Sequence, residues 1–410
     1  MMIKKLAHVG AIAMTGAMVA TTAVAQCAFQ NDVQVKSLSA GFEAWKAVTD
    51  AMAECGMVEA ELDQEFRTKQ PSAFAANPSL YSVGGVSNGT ITPLLNEGTI
   101  RPLDDLVAKY GQNLTPNQLI QIDGKVMAVA MMVNTQHLMY RTDVFEELGL
   151  AVPTTYDEVL TAAQAIQDAG VVEYPLGATM MAGWNLAQDF NNMFVGYGGT
   201  FYNDDSTPAV NSEAGIRSLE MMKALTAYMD PEYLVSDSTY VQQQFQQGKI
   251  AMANLWSSRA GAMEDPAESQ VVGMVGSAAA PVAIEGGMPA TTLWWDGIVI
   301  AKNIDDATAD AAFRVAMEGL DTEMVTANND DAIWLVPGYE PSPMAMGAIA
   351  TATATPAPPS YPSTSQMGLM HTALGNELPS FFTGDRTAEE TLAAVEASYT
   401  AAAREAGLLP

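Results

Sequence analysis

Histidine is nearly absent from these 410 residues: three occur, at positions 8, 137 and 371. A zinc site built on imidazoles, and most catalysis that relies on a histidine base, therefore lack their raw material. Cysteine is scarcer still, with only Cys27 and Cys55. Basic residues are few: 18 Lys and Arg stand against 47 Asp and Glu, for a net charge of −29. Such a surface repels nucleic acid and anionic membrane. Beyond the first 25 residues no stretch reaches the roughly 18 uninterrupted apolar residues that span a bilayer. No Gly-rich phosphate loop, metal-ligand cluster or catalytic motif stands out, so no cofactor and no metal is expected.

What is present begins at the N-terminus. Met1-Met2-Ile3-Lys4-Lys5 is a short basic start, Leu6 to Val24 is mostly small and apolar, and Ala23-Val24-Ala25 fits a small-residue cleavage site. This three-part pattern predicts a secretory signal peptide over residues 1–25. Lipidation at Cys27 is the alternative, but Gln26 precedes it where a small residue is usual. Removal of residues 1–25 takes away two lysines and moves the net charge to −31. An even cysteine count in an exported chain predicts one disulfide, Cys27 to Cys55. The expected strand at Val33–Leu38 and returning helix at Gly41–Glu54 bring the two together, with Gly56 as a helix stop. About 385 remaining residues exceed what one core usually serves, so two lobes are expected.

Along the chain, strand-like and helix-like segments alternate, which predicts α/β lobes. Val33 to Leu38 has period two, and Phe42, Trp45, Val48 and Met52 then line one helix face. Val58–Phe66 and Ser79–Val86 read as strands, the second running into Ser87-Asn88-Gly89. Asp123-Gly124 predicts a tight hairpin between Leu119–Ile122 and Val126–Met131. Thr155 with Glu158, and Thr387 with Glu390, have capping-box spacing, and Asp305 is placed to cap a helix. Ile349–Ser365, rich in Ala, Thr, Pro and Ser, reads as an extended surface loop. Most of the 26 methionines read as core filling.

Several segments carry a resemblance. Ile122-Asp-Gly-Lys-Val-Met-Ala-Val-Ala130 is followed by Leu138-Met-Tyr-Arg-Thr-Asp-Val-Phe-Glu-Glu-Leu-Gly-Leu-Ala-Val-Pro-Thr-Thr-Tyr-Asp-Glu-Val159. Phe245-Gln-Gln-Gly-Lys-Ile-Ala-Met-Ala-Asn-Leu-Trp256 and Asp296-Gly-Ile-Val-Ile-Ala-Lys302 come later. In this order they resemble the family 1 extracellular solute-binding proteins, the maltose-binding-protein-like group. The resemblance implies a type II periplasmic binding protein fold: two α/β lobes joined by crossing hinge segments, closing on a ligand. It implies a first lobe from residues 26–135 and 297–335 and a second from 136–296 and 336–410. The implied role is capture of a small carbohydrate or polyol in the periplasm for the permease subunits of an ABC importer, by a monomer that is not an enzyme. A cationic ligand such as a polyamine is the alternative, and a secreted glycoside-acting enzyme a more distant one.

The resemblance also nominates ligand-binding residues. Phe42 and Glu43 follow the first strand, where Phe42 equally fits the core-facing stripe and Glu43 the start of a helix. Asn88 lies in the turn after the third strand. Asn134 stands where a carboxylate contact is implied, here replaced by an amide. Trp184 opens a helix in the second lobe, and Trp256 ends a strand at a frequent stacking position. Trp294, Trp295 and Asp296 lie at a lobe crossing, where a Gly-Gly pair is usual. Two bulky rings there would narrow the cleft and favour a small ligand. Tyr339 follows Pro337-Gly338 near another crossing, and Trp45 and Trp334 read as core. Trp rings suit the C–H face of a sugar, and Asp, Asn and Glu suit its hydroxyls.

Overall fold

A computed structural model describes residues 27–410, so the expected signal peptide lies outside the described residues. Eleven strands make two sheets. In chain order they are β1 (Asn31–Ser39), β2 (Gly56–Leu62), β3 (Val83–Ser87), β4 (Leu119–Ile122), β5 (Lys125–Asn134), β6 (Gln136–Arg141), β7 (Tyr174–Gly177), β8 (Ile250–Trp256), β9 (Val275–Ala278), β10 (Trp294–Ile300) and β11 (Ile333–Trp334). The first sheet runs β11-β5-β10-β3-β1-β2, with β4 paired to β5. The second runs β7-β8-β6-β9. β1 is parallel to β2 and β3, whereas β10 lies antiparallel between β3 and β5. The chain passes from the first sheet to the second at Thr135, returns before Trp294, and leaves again after Trp334. β10 thus starts in the first sheet at Trp294, three residues before the expected return at 297.

Each sheet has its own core. In the first, Val35, Leu38, Trp45, Val48, Met52 and Phe313 pack together, so the expected helical stripe is buried. Phe42 falls just outside that stripe, half-buried as the N-cap of the Glu43–Ala53 helix. In the second, Phe190, Phe194, Leu219, Leu374, Val395 and Tyr399 join helices on one face of the sheet. Asp123 and Gly124 both take positive φ, 51° and 74°, and Ile122 pairs with Lys125, giving the two-residue hairpin their sequence predicts. The capping boxes at Thr155 and Thr387 form, and Asp305 caps its helix.

Three expectations need correction. β2 ends at Leu62, because the chain bends and a helix starts at Phe66 (Phe66–Ala75). β3 is shorter than Ser79–Val86 and begins at Val83. The Ala/Thr/Pro run is not all loop: Met346–Ala352 is a helix, burying Gly347, Ala348 and Thr351. Alanine has the highest helix propensity, and the Ser277 hydroxyl accepts the Gly347 N–H at 2.9 Å where the helix begins.

Cys27 and Cys55 form a disulfide, Cα atoms 4.9 Å apart, joining the start of the described chain to the end of the first helix. None of the described helices is long and apolar enough to cross a membrane. The bridge closes a loop of 28 positions, so its loss should cost roughly 3–4 kcal/mol by loop entropy. Guanidinium melts of the oxidised protein and of the double variant Cys27→Ser, Cys55→Ser measure this. Coincident midpoints would show that the bridge adds nothing to the folded state.

Candidate functional site

Where the two sheets approach, five rings meet. Trp184 lies stacked 6.5 Å from Trp256, and edge-on 5.7 Å from Trp294. Trp294 stacks on Tyr361 at 4.2 Å, and His371 stacks on Trp184 at 5.0 Å. Trp256, Trp294 and Tyr361 are buried, and Trp184 is the ring left partly open to solvent. Two glycines make room. Gly183, with φ of 95°, is the N-cap from which Trp184 starts the Trp184–Gly196 helix. A Cβ on Gly89 would lie 2.8 Å from the Trp294 ring, so only glycine fits there.

His371 anchors the group. Its Nδ1 accepts from the Tyr361 hydroxyl at 2.9 Å and lies 3.2 Å from the Asn191 amide nitrogen, while Nε2 donates to the Trp184 carbonyl at 3.0 Å. Burial pushes the imidazole down to about 4, which keeps it neutral.

Polar groups face the rings from the first sheet. Arg67, on the Phe66–Ala75 helix, places its guanidinium 4.3 Å from the Trp184 ring centroid and 4.9 Å from that of Phe66. It keeps solvent access, yet desolvation lowers the guanidinium against the opposing pull of Asp296. Burial pushes Asp296 up to about 7, while the neighbouring Arg67 and Trp45 pull the other way. On the other side Arg259, just after β8, approaches the Phe42 ring at 5.8 Å. The two contacts are reciprocal: an arginine from each half meets a ring of the other.

The helices carrying Phe42, Arg67 and Trp184 at their starts have no side-chain cap. Every other described helix of nine residues or more has one. Their positive dipole ends lie beside these three side chains.

Behind the rings runs a chain of buried hydrogen bonds. Trp294 Nε1 donates to the Thr292 hydroxyl at 2.9 Å, which donates to Asn192 Oδ1 at 2.9 Å. Asn192 Nδ2 donates to Gln136 Oε1 at 2.9 Å, and Gln136 Nε2 donates to Asp189 Oδ1 at 3.0 Å. Thr179 donates to the same oxygen at 2.9 Å. Gln136, Asp189, Asn192, Tyr156 and Asn254 line one side of a cavity of about 40 Å³, otherwise mostly apolar.

The nominated residues divide accordingly. Trp184, Trp256, Trp294 and Asp296 come together, with Phe42 and the exposed Glu43 at the Arg259 side. Asn88 is buried and ties segments: its Nδ2 donates to the carbonyls of Leu293 (3.2 Å) and Tyr361 (3.0 Å). Asn134 does the same at the other crossing, accepting from Ser257 at 2.9 Å and donating to Ser258 at 3.2 Å. Trp295 does not join Trp294, because neighbours in a strand point to opposite faces; it packs with the cluster of Phe74, Val86 and Ile91. Tyr339 packs on the first core with its hydroxyl buried and unpartnered among the described residues. Trp334 is core, as expected, but Trp45 also reaches Asp296.

Sequence reasoning missed Arg67, Arg259, Tyr361 and His371. Scarcity was the available signal: one of two histidines beyond position 25, and an aromatic inside a run of small residues.

A family model described as bacterial extracellular solute-binding protein matches residues 61–316. A curated relative from Deinococcus radiodurans, a probable ABC transporter-binding protein, is 26% identical over 268 residues. That match covers 62% of this chain and 61% of the relative, about three fifths of its length. Among solved structures, an Agrobacterium radiobacter K84 ABC transporter solute-binding protein in complex with ribitol is similar, with TM-score 0.79 and 24% identity over 91% of this chain and 99% of that one. An Agrobacterium vitis S4 counterpart with bound D-mannitol has TM-score 0.77 and 19% identity over 91% and 99%. The maltose-bound Thermotoga maritima protein has TM-score 0.74 and 17% identity over 90% and 99%. The shared fold is that of two-lobed type II periplasmic binding proteins.

The buried chain makes stability depend on pH. Burial pushes Asp189 from 3.8 up to about 7, against the hydrogen bonds from Gln136 and Thr179. Between those values the folded protein holds a proton that the unfolded chain has released, so this group makes stability fall as pH rises. Asp189→Asn keeps an acceptor for both donors and removes the titration. Its melting temperature should gain on wild type between pH 4 and pH 8; a constant gap would rule out Asp189 as the titrating group.

Proposed function

The chain belongs to the bacterial extracellular solute-binding proteins, and we propose that within this family it captures a small carbohydrate or polyol between its two lobes for an ABC importer. It acts in the periplasm as a monomer and releases its load to the permease subunits. The observation that carries the ligand class is the aromatic assembly at the lobe junction, with Asp296 and Arg67 facing Trp184.

The chemistry matches a polyhydroxylated molecule. Its C–H face packs on an indole, and its hydroxyls need donors and acceptors in fixed directions. Trp184 is the ring partly open to solvent, flanked by Trp256, Trp294 and His371, with the Arg67 guanidinium 4.3 Å from its centroid. Asp296 supplies acceptors and Arg67 donors. Closing of the lobes excludes water, so each unpaired hydroxyl on a wrong ligand costs about 1–3 kcal/mol. The structurally similar Agrobacterium proteins hold ribitol and D-mannitol, which supports a polyol-sized site. The alternative of a polyamine ligand loses ground to Arg67, whose positive charge over the same Trp184 ring would repel an ammonium group.

Thermal-shift screening over sugars, polyols and amines tests the reading, because a ligand specific to the folded state raises its melting temperature. Calorimetry on two variants then tests the site. Trp184→Ala should weaken binding by about 1–3 kcal/mol, the worth of a lost aromatic contact. Asp296→Asn should cost about 1 kcal/mol or less for a ligand without positive charge, and several times more for a polyamine that needs the carboxylate. Stabilisation by amines alone would overturn the carbohydrate reading.

A further inference from the structure

We infer that the polyhydroxylated ligand carries an acid group read by Arg67 and Arg259, which makes it a sugar acid such as an aldonate or uronate. This rests on the function proposed above and narrows it.

The inference starts from the charge inventory. Acidic residues outnumber basic ones 47 to 18, so a guanidinium should readily find a carboxylate. Of the six other arginines three do: Arg101 pairs with Asp306, Arg141 with Asp143 and Arg386 with Glu377, whereas Arg217, Arg314 and Arg404 lie away from the junction without an ion pair among the described residues. Neither Arg67 nor Arg259 has a carboxylate within ion-pair distance among the described residues, although each stands where the lobes meet, Arg67 exposed against the Trp184 ring and Arg259 half-buried beside Phe42. Arg67 makes no hydrogen bond to the described residues; its guanidinium rests against the rings of Trp184 and Phe66 with its donors unspent. Arg259 spends two nitrogens on neutral partners, Gln242 at 3.1 Å and Thr239 at 3.5 Å.

The nearby acids do not cancel this charge. Asp296 is the acid facing Arg67, and burial raises it to about 7, so near neutral pH it is only partly ionised. Asp237 and Glu43 act on Arg259 only through space. Closure of the lobes over a ligand would desolvate these guanidinium groups, which costs several kcal/mol unless an anion offsets it. A neutral ligand's hydroxyls would be served as well by Asn or Gln, which are cheaper to bury. A carboxylate uses what arginine alone offers: a planar fork of N–H donors with a fixed charge. The reciprocal placement, one arginine from each lobe, lets the anion draw the lobes together.

The test is calorimetry with matched pairs that differ only in the acid group: ribitol with D-ribonate, D-mannitol with D-mannonate, and D-galactose with D-galacturonate. The acid of at least one pair should bind about tenfold tighter or more than its neutral partner, as a charge-assisted hydrogen bond requires. That preference should shrink as salt rises. Arg67→Gln should reduce the acid-to-neutral ratio, and Arg67→Lys should retain part of it. A merely structural arginine would weaken both members of a pair equally and leave the ratio unchanged, which would overturn the assignment. Neutral members binding as tightly as the acids in every pair would overturn the acid group and leave the carbohydrate reading standing. No binding by any member of either series, with amines binding instead, would remove the carbohydrate reading itself.

Discussion

Two stretches of backbone cross between the sheets side by side, and the hydroxyls buried where they touch have to satisfy one another. Thr135 sits 3.1 Å from the Thr291 hydroxyl and 3.2 Å from the Thr292 carbonyl. A buried hydroxyl left unpaired costs about 1–3 kcal/mol, so the two crossings are locked in register. From there the constraint spreads. Thr292 holds the indole of Trp294, Asn192 holds Thr292, and Gln136 holds Asn192. The rings at the junction are therefore placed by polar groups that lie behind them.

The site itself is a product of strand and helix geometry. Along β10, Trp294 and Asp296 share a face because they are two residues apart, and the pairing of Asp296 with Ser87 sets that face beside the end of β3. Around it, the three uncapped helices bring Phe42, Arg67 and Trp184 to their leading ends. Side chains distant in sequence become neighbours only because the chain changes sheets three times.

Much of this was readable in advance. The α/β alternation, the hairpin at Asp123-Gly124, the capping boxes and the order of family-like segments all rest on local rules, and local rules survive folding. Trp184, Trp256, Trp294 and Asp296 were nominated because resemblance located the crossings, and the structure brings them together there. The misses have physical causes. Arg67 was hidden because apolar alternation through Phe66 read as strand where a helix begins. Tyr361 was hidden by composition: its segment looks like loop until Leu293 pairs with it, N–H to the Pro359 carbonyl at 2.9 Å. Trp295 was misplaced by treating two adjacent tryptophans as one feature, which a pleated strand forbids.

The position of β10 also has a consequence in time. It is the partner that joins β3 to β5, so these two strands have no contact through the sheet until residues 294–300 exist. At about 5–20 residues per second, the stretch from Asn134 to Trp294 takes roughly 10–30 s to leave the ribosome. Throughout that interval the first lobe is a set of unjoined pieces, with the apolar strand Ala128–Met132 open along one edge. A nascent chain in that state can still be threaded through a narrow opening, and for the same reason it needs shielding from its own copies.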